Sequence, residues 1–186
     1  DLDLFDSWVR RYPGRRYFLF LYYCFPMENA HNGRWHGFPG FFARGIDTWF
    51  KRFQHAGVRG AYFCGFGQDV EAYVTFKLLD NPALKLDAIL DDYFRNLYPR
   101  TAGPMRRLYD EIERIYSSPE SYPEGFAGHQ TEAIAWEHLG KPANMARLAD
   151  LMGEVRAAAA DASDIERQRL ALFESGVWDY MRAGAN

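Results

Sequence analysis

The sequence predicts an α/β fold that gives way to an all-helical C-terminal part, and three observations carry that expectation. Tyr17 to Phe25 reads YFLFLYYCF, an apolar and aromatic run with no polar break. A strand with one wet face alternates apolar and polar residues, so this run predicts a strand buried on both faces. A run of the same type, VRGAYFCGF, returns at Val58 to Phe66 after a stretch with helical signals. Strand, loop, helix, strand is the order of a parallel sheet covered by helices. After Cys64 no third run of this kind follows, and the remainder carries helical patterns. Two parallel strands can neither close a sheet nor hide their edges. The chain is therefore expected to be the tail end of something larger, mostly α by residue count.

Each element has its own signal. Residues 1–16 hold an amphipathic segment (Leu2, Leu4, Phe5, Trp8, Val9) ended by Tyr12-Pro13-Gly14 and a basic pair, Arg15 and Arg16. The first strand is expected at about 17–25. Pro26 to Pro39 then forms a long loop, and loops of that length between a strand and a helix are usually functional or disordered. A helix follows at about 40–56, with Phe42, Ile46, Trp49, Phe50 and Phe53 on one face, and Gly57 suits its left-handed C′ position. The second strand is expected at about 58–64. Asp69 is expected to cap a helix through Leu79 that stops at Asp80-Asn81-Pro82. Leu86, Leu90, Phe94 and Leu97 mark the next stripe. Met105, Leu108, Ile112 and Ile115 mark another, with Pro104 in its first turn. Residues 117–127 read as an irregular connector. Three helices near 129–139, 142–161 and 164–182 complete the chain, the last opening with Ser163-x-x-Glu166, a capping box. The expected division is 1–80 for the sheet-bearing part and 81–186 for a helical subdomain.

Composition narrows the function classes. The chain has 186 residues, of which 48% are hydrophobic and 17% aromatic, which argues for a large buried core and against disorder. A net charge of −3 gives no electrostatic case for nucleic acid or an anionic membrane. The longest apolar run is far too short to span a bilayer. The sequence opens at Asp1 with no basic n-region or apolar h-region, so no targeting signal is read, an upstream portion is expected, and the compartment stays open. Cys24 and Cys64, the only two cysteines, form no CxxC pair and read as small buried hydrophobes.

In parallel α/β folds the ligand sits beyond the carboxyl ends of the strands. Two strand-to-helix loops exist here. The first carries Glu28, Asn29, His31, Asn32, Arg34, Trp35 and His36, a density of hydrogen-bonding groups beside an indole that suits a sugar ring and its hydroxyls. The alternative is an ordinary polar loop with Trp35 folded onto the core. A metal set from Glu28, His31 and His36 matches no recognised ligand spacing. The second loop, Cys64-Gly65-Phe66-Gly67-Gln68-Asp69, lacks both common phosphate-loop spacings, so no cofactor is expected; Gln68 could face a cleft. Glu28 and Asp69 are the only carboxylates on this edge that could form a glycosidase acid pair, and they are weak candidates for catalysis. Tyr22 and Tyr23 add binding candidates, because one of them must face the interior of the sheet.

The stretch from Gly57 resembles a known group of proteins. The parts that carry the likeness are Gly57-Val58-x-Gly60, Ala72-Tyr73-Val74-x-Phe76-Lys77-Leu78, Asp87-x-x-x-Asp91-x-Tyr93-Phe94 and Ala102-x-Pro104-Met105. His129-Gln130-Thr131-Glu132, Ala135-Trp136 and Trp178-Asp179-Tyr180-Met181 extend it. They look like the C-terminal region of large bacterial proteins that carry a domain of unknown function and resemble glycoside hydrolases with a (β/α)8 barrel, such as α-glucuronidases and β-hexosaminidases. The resemblance implies that residues 17–66 are the last two strands of such a barrel, with 68–80 the final helix and the rest an appended helical subdomain. It also implies a carbohydrate substrate and a partner in the remainder of the barrel. The main catalytic carboxylates would come from earlier strands, so the isolated chain is expected to be inactive. Some relatives carry an acid where this chain has Cys64 or Gly65, and the usual Tyr-Gly step reads Tyr98-Pro99 here. The competing reading is a non-enzymatic, mostly helical binding or assembly module whose strands pair with a partner chain.

Overall fold

The computed structural model describes residues 2–23, 35–64 and 68–186. Helix α1 (Leu2–Arg11) leads into strand β1 (Tyr17–Tyr22), and helix α2 (Ala43–His55) connects it to strand β2 (Val58–Cys64). Helices α3 (Asp69–Asp80), α4 (Leu86–Leu97) and α5 (Ala102–Ser117) follow. A connector leads to a π-helical turn at Ile134–Leu139 and then to α6 (Pro142–Ala158). Helix α7 (Asp164–Phe173), a second π-helical turn at Glu174–Trp178 and α8 (Asp179–Ala185) run on without a break. The protein is thus mostly helical with a small two-stranded parallel sheet.

The strands pair from Tyr17 opposite Val58 to Tyr22 opposite Cys64, with one irregularity between Tyr17 and Phe18. That register puts Phe18, Phe20, Tyr22, Gly60, Tyr62 and Cys64 on one face. Leu19, Leu21, Val58, Ala61 and Phe63 lie on the other, against α2 and α3. Burial therefore alternates along β1, and among the described residues this chain covers only one of the two faces expected to be buried. Phe18 is 76% exposed, Phe20 62%, Tyr62 70% and Tyr22 37%. The reason is simple: helices cover one side only, and an all-apolar run does not reveal which side is covered. Phe20 stacks on Tyr62 at 5.5 Å. A Cβ at Gly60 would come within 3.0 Å of the Phe18 ring, so this glycine lets the ring lie across β2.

The helices follow their apolar stripes. Ile46, Phe50 and Phe53 of α2 are buried, as are Val70, Val74 and Leu78 of α3. Helix α2 packs on α3, α4 on α5, and α5 on α6. Gly57, at φ 80°, ends α2 in the left-handed region, as its position predicts. One buried cluster runs from Tyr23 and Phe38 through these helices to Met181.

Several helix ends are capped from a distance rather than locally. Asp69 does not cap α3: Gln68 occupies the N-cap without a side-chain bond, and Asp69 is the first helical residue, exposed. The acid still sits favourably against the helix dipole there. Ser163 caps α7 by accepting the Glu166 N–H at 3.3 Å. The other half of the expected capping box is absent. The Glu166 carboxylate instead accepts from the backbone N–H of Arg100 and Thr101 and from the Thr101 hydroxyl, at 2.9–3.2 Å. It supplies the start of α5 with partners that α5 lacks. At α2, Glu71 of α3 accepts the Phe42 N–H at 3.0 Å and Glu113 of α5 accepts the Arg44 N–H at 2.7 Å.

Candidate functional site

Residues 24–34 and 65–67, which follow β1 and β2 and hold most of the two stretches expected to be loops, lie outside the described residues. Glu28, Asn29, His31 and Cys24 fall there. What the structure does describe is how the exit of the first loop is held. Residues 36–42, HGFPGFF, form a non-helical strap leading into α2, buried from Gly37 to Phe41. Phe38 donates its N–H to Gln130 Oε1 at 2.7 Å and accepts from Gln130 Nε2 at 3.2 Å, so one side-chain amide replaces a neighbouring strand. The Gly37 N–H donates to the Tyr180 hydroxyl at 2.9 Å. Trp136 Nε1 donates to the His36 carbonyl at 2.6 Å. The strap is thereby tied to residues some 90–140 positions later.

Trp136 reaches the strap because the π-helical turn carries it inward. Its ring lies in a slot made by two glycines: a Cβ would fall 2.3 Å from it at Gly140 and 2.1 Å at Gly184.

The predicted binding residues separate into distinct environments. Tyr22 lies on the open aromatic face of the sheet, at its carboxyl end. Tyr23 turns the other way and is buried among Phe42 and Phe63. Burial, with Glu71 nearby, pushes its phenol up to about 12, against the lowering effect of Thr75. Trp35 is half-buried against the core, as the plain structural alternative anticipated. The His36 ring lies 4.6 Å from Tyr180. His36 and Trp35 thus help anchor the loop's exit to the molecule.

Gln68 and Asp69 open onto a cleft of about 460 Å³ between the start of α3, the end of α4 and the second π-helical turn. Tyr98, Tyr109 and Arg169 also line it, with Leu172, Phe173, Gly176 and Val177 forming an apolar wall. Arg169 Nη1 donates to the Leu97 carbonyl at 2.9 Å, which fixes its guanidinium at the rim. Burial pushes the Tyr98 phenol up to about 12 and raises Tyr109 well above its ordinary value; nearby Asp69 adds to both. These phenols stay protonated and can both donate and accept. The volume falls within the range of small-ligand sites, and the mixture of amide, carboxylate, guanidinium, phenol and apolar wall can hold a polyhydroxylated ring. Sequence reasoning found Gln68 and Asp69 but missed Tyr98, Tyr109 and Arg169. Only Gly176, set within a helical pattern, could have hinted at the irregular turn beside it.

A larger cleft of about 790 Å³ runs along the connector, beside Tyr122 and Phe126 stacked at 5.2 Å. It includes none of the predicted site residues. Among the described residues no group of three His, Cys, Asp or Glu side chains is placed to hold a metal. No helix among them is long and apolar enough to cross a membrane. Comparison with family models, curated proteins and solved structures gives no match to this chain.

Proposed function

We propose that this chain is the C-terminal portion of a glycoside-hydrolase-like (β/α)8 barrel, contributing carbohydrate-binding surface and a helical support, with bond cleavage supplied by earlier strands. The observation that carries the reading is the bare aromatic face of the parallel sheet. Phe18, Phe20 and Tyr62 are each more than half exposed on a sheet whose two strands each have an unpaired edge among the described residues. Such a face and such edges call for further strands. In a barrel, helices cover the outside of the sheet and side chains from opposite strands fill the inside. Covered and bare faces in this sheet match those two sides.

The carbohydrate part rests on position and chemistry. Gln68 and Asp69, which line the cleft, follow the carboxyl end of β2 in the chain, and parallel α/β proteins bind ligands on segments that leave their strands there. Glu28 and Asp69 stay weak candidates for an acid pair, and the isolated chain is expected to leave aryl glycosides intact. The competing assembly-module reading shares the bare sheet face but requires no sugar site.

Titration of isotope-labelled protein with a panel of monosaccharides and uronic acids, followed by NMR, separates them. The reading predicts saturable shifts at the Gln68 side-chain amide and the Arg169 guanidinium for at least one sugar. A panel that leaves both unmoved removes the carbohydrate assignment.

A further inference from the structure

Glu71 lies in the first turn of α3 with none of its surface exposed. Its Oε1 accepts the Phe42 N–H at 3.0 Å. Its Oε2 is buried and finds no hydrogen-bond partner among the described residues. A carboxylate in that position leaves much of its hydrogen-bonding capacity unmet in a low-dielectric setting, which disfavours the charged form.

The charged groups facing it add to that bias. Tyr23 follows β1, and its phenol is coupled to Glu71. Helix α3 itself contributes Asp69, a second negative charge, and Thr75 one turn on. Helix α5 contributes Glu113, whose carboxyl also caps α2 and is itself pushed up by burial, together with Tyr109 and Tyr116. Helix α4 contributes Tyr93. The nearest cation among these groups, Arg44, is committed to Glu113 at 2.5 Å and to Asp110 at 2.9 Å. Two backbone N–H groups oppose the bias, that of Phe42 at the start of α2 and that of Glu71 itself in the first turn of α3, and burial outweighs both.

We infer that Glu71 is a proton-operated latch: as a neutral acid it rests in the dry contact between the strap before α2 and the start of α3, and its ionisation places a charge there whose burial costs more than the strengthened Phe42 bond returns, so the contact opens to water. The location gives the latch its consequence. Phe42 ends the strap that carries the first strand-to-helix loop, and Glu71 opens the helix that follows the second. One carboxyl thus joins the trailing ends of both loops at the carboxyl edge of the sheet. The latch does not depend on what ligand that edge binds.

Burial raises the Glu71 pKa from an ordinary 4.5 to about 8. In the folded state the proton is retained between those two values, while in the unfolded chain it is already lost. Stability from this group is therefore complete below about pH 4.5 and is lost as pH rises towards 8.

The test follows the Glu71 side-chain carboxyl ¹³C shift and the Phe42 and Arg44 amide exchange rates between pH 5 and 9. The latch predicts a Glu71 midpoint at least two units above that of an exposed glutamate. It also predicts that amide protection, corrected for intrinsic exchange, falls with the same midpoint. Glu71→Gln keeps the Phe42 bond without a titrating proton and is expected to flatten the change in protection. A Glu71 midpoint in the ordinary carboxylate range overturns the latch, and so does an identical pH dependence in Glu71→Gln. If Glu71→Gln does not fold, the wild-type midpoint decides alone.

Discussion

Gly184 shows how closely a single position can be constrained. It sits on α8, where a β-carbon would fall 2.1 Å from the Trp136 ring and 2.7 Å from His36. Trp136 cannot retreat, because its Nε1 is bound to the His36 carbonyl and Gly140 closes its other side. Gly184→Ala is therefore expected to destabilise by about 1–3 kcal/mol, the usual range for overpacking. Gly176 meets nothing within 4 Å, so Gly176→Ala serves as the control and should be neutral or mildly stabilising in the same thermal unfolding experiment. Equal unfolding temperatures for the two variants would contradict the slot. At this scale the sequence is partly readable. Gly57 could be placed at a helix end because Gly is the residue that accepts a left-handed conformation without cost. Gly140 and Gly184 could not be placed, since their reason lies in a tryptophan ring that reaches them only in the folded chain. Asp69 failed as a cap for a similar reason: several residues near a helix start can bond its free N–H groups, and the fold decides which one does.

Elements here owe their stability to one another more than to their own ends. Among the described helices with a defined N-cap, only α7 has a side-chain cap bond of its own. Glu166 serves the start of α5 from α7, and Glu71 and Glu113 serve the start of α2 from α3 and α5. Removing such a group leaves buried donors without partners, at about 1–3 kcal/mol each. Glu166→Ala is expected to lower stability by about 2 kcal/mol or more, read from the denaturant midpoint. The loss should be localised: amide exchange at Arg100 and Thr101 should accelerate more than exchange in α6. A uniform change across both helices would mean that Glu166 acts through packing alone. Alongside these caps, Arg106 joins Asp87 and Asp91 of α4 to Asp110 of α5. The network holds two neighbouring helices in register, though exposed pairs contribute little individually. Helix positions were legible from stripes spaced three and four apart. The two π-helical turns were not, because an extra residue in one turn leaves composition unchanged. Burial of β1 was illegible for the opposite reason. When every residue of a strand is apolar, alternation has nothing to show, and only the covering helices decide which face is dry.

For the whole molecule, the open question is what stands on the aromatic side of the sheet. The strap and the cleft both gather residues that are far apart in sequence, and this is why Tyr98, Tyr109 and Arg169 could not be joined to Gln68 and Asp69 beforehand. The two loops themselves were visible as a cluster of polar side chains around Trp35 and as a glycine-rich step after β2. The bare face of Phe18, Phe20 and Tyr62 binds the account together, because it asks for strands that pair with both open edges and fill the space above these rings. Oxidative footprinting of the aromatic side chains tests this most directly, comparing the isolated 186-residue chain with the protein as isolated from cells that make it. The account predicts that Phe18, Phe20 and Tyr62 are reactive in the former and strongly protected in the latter, while the buried Phe38 and Phe41 stay protected in both. Equal reactivity of the three sheet rings in the two samples would contradict it.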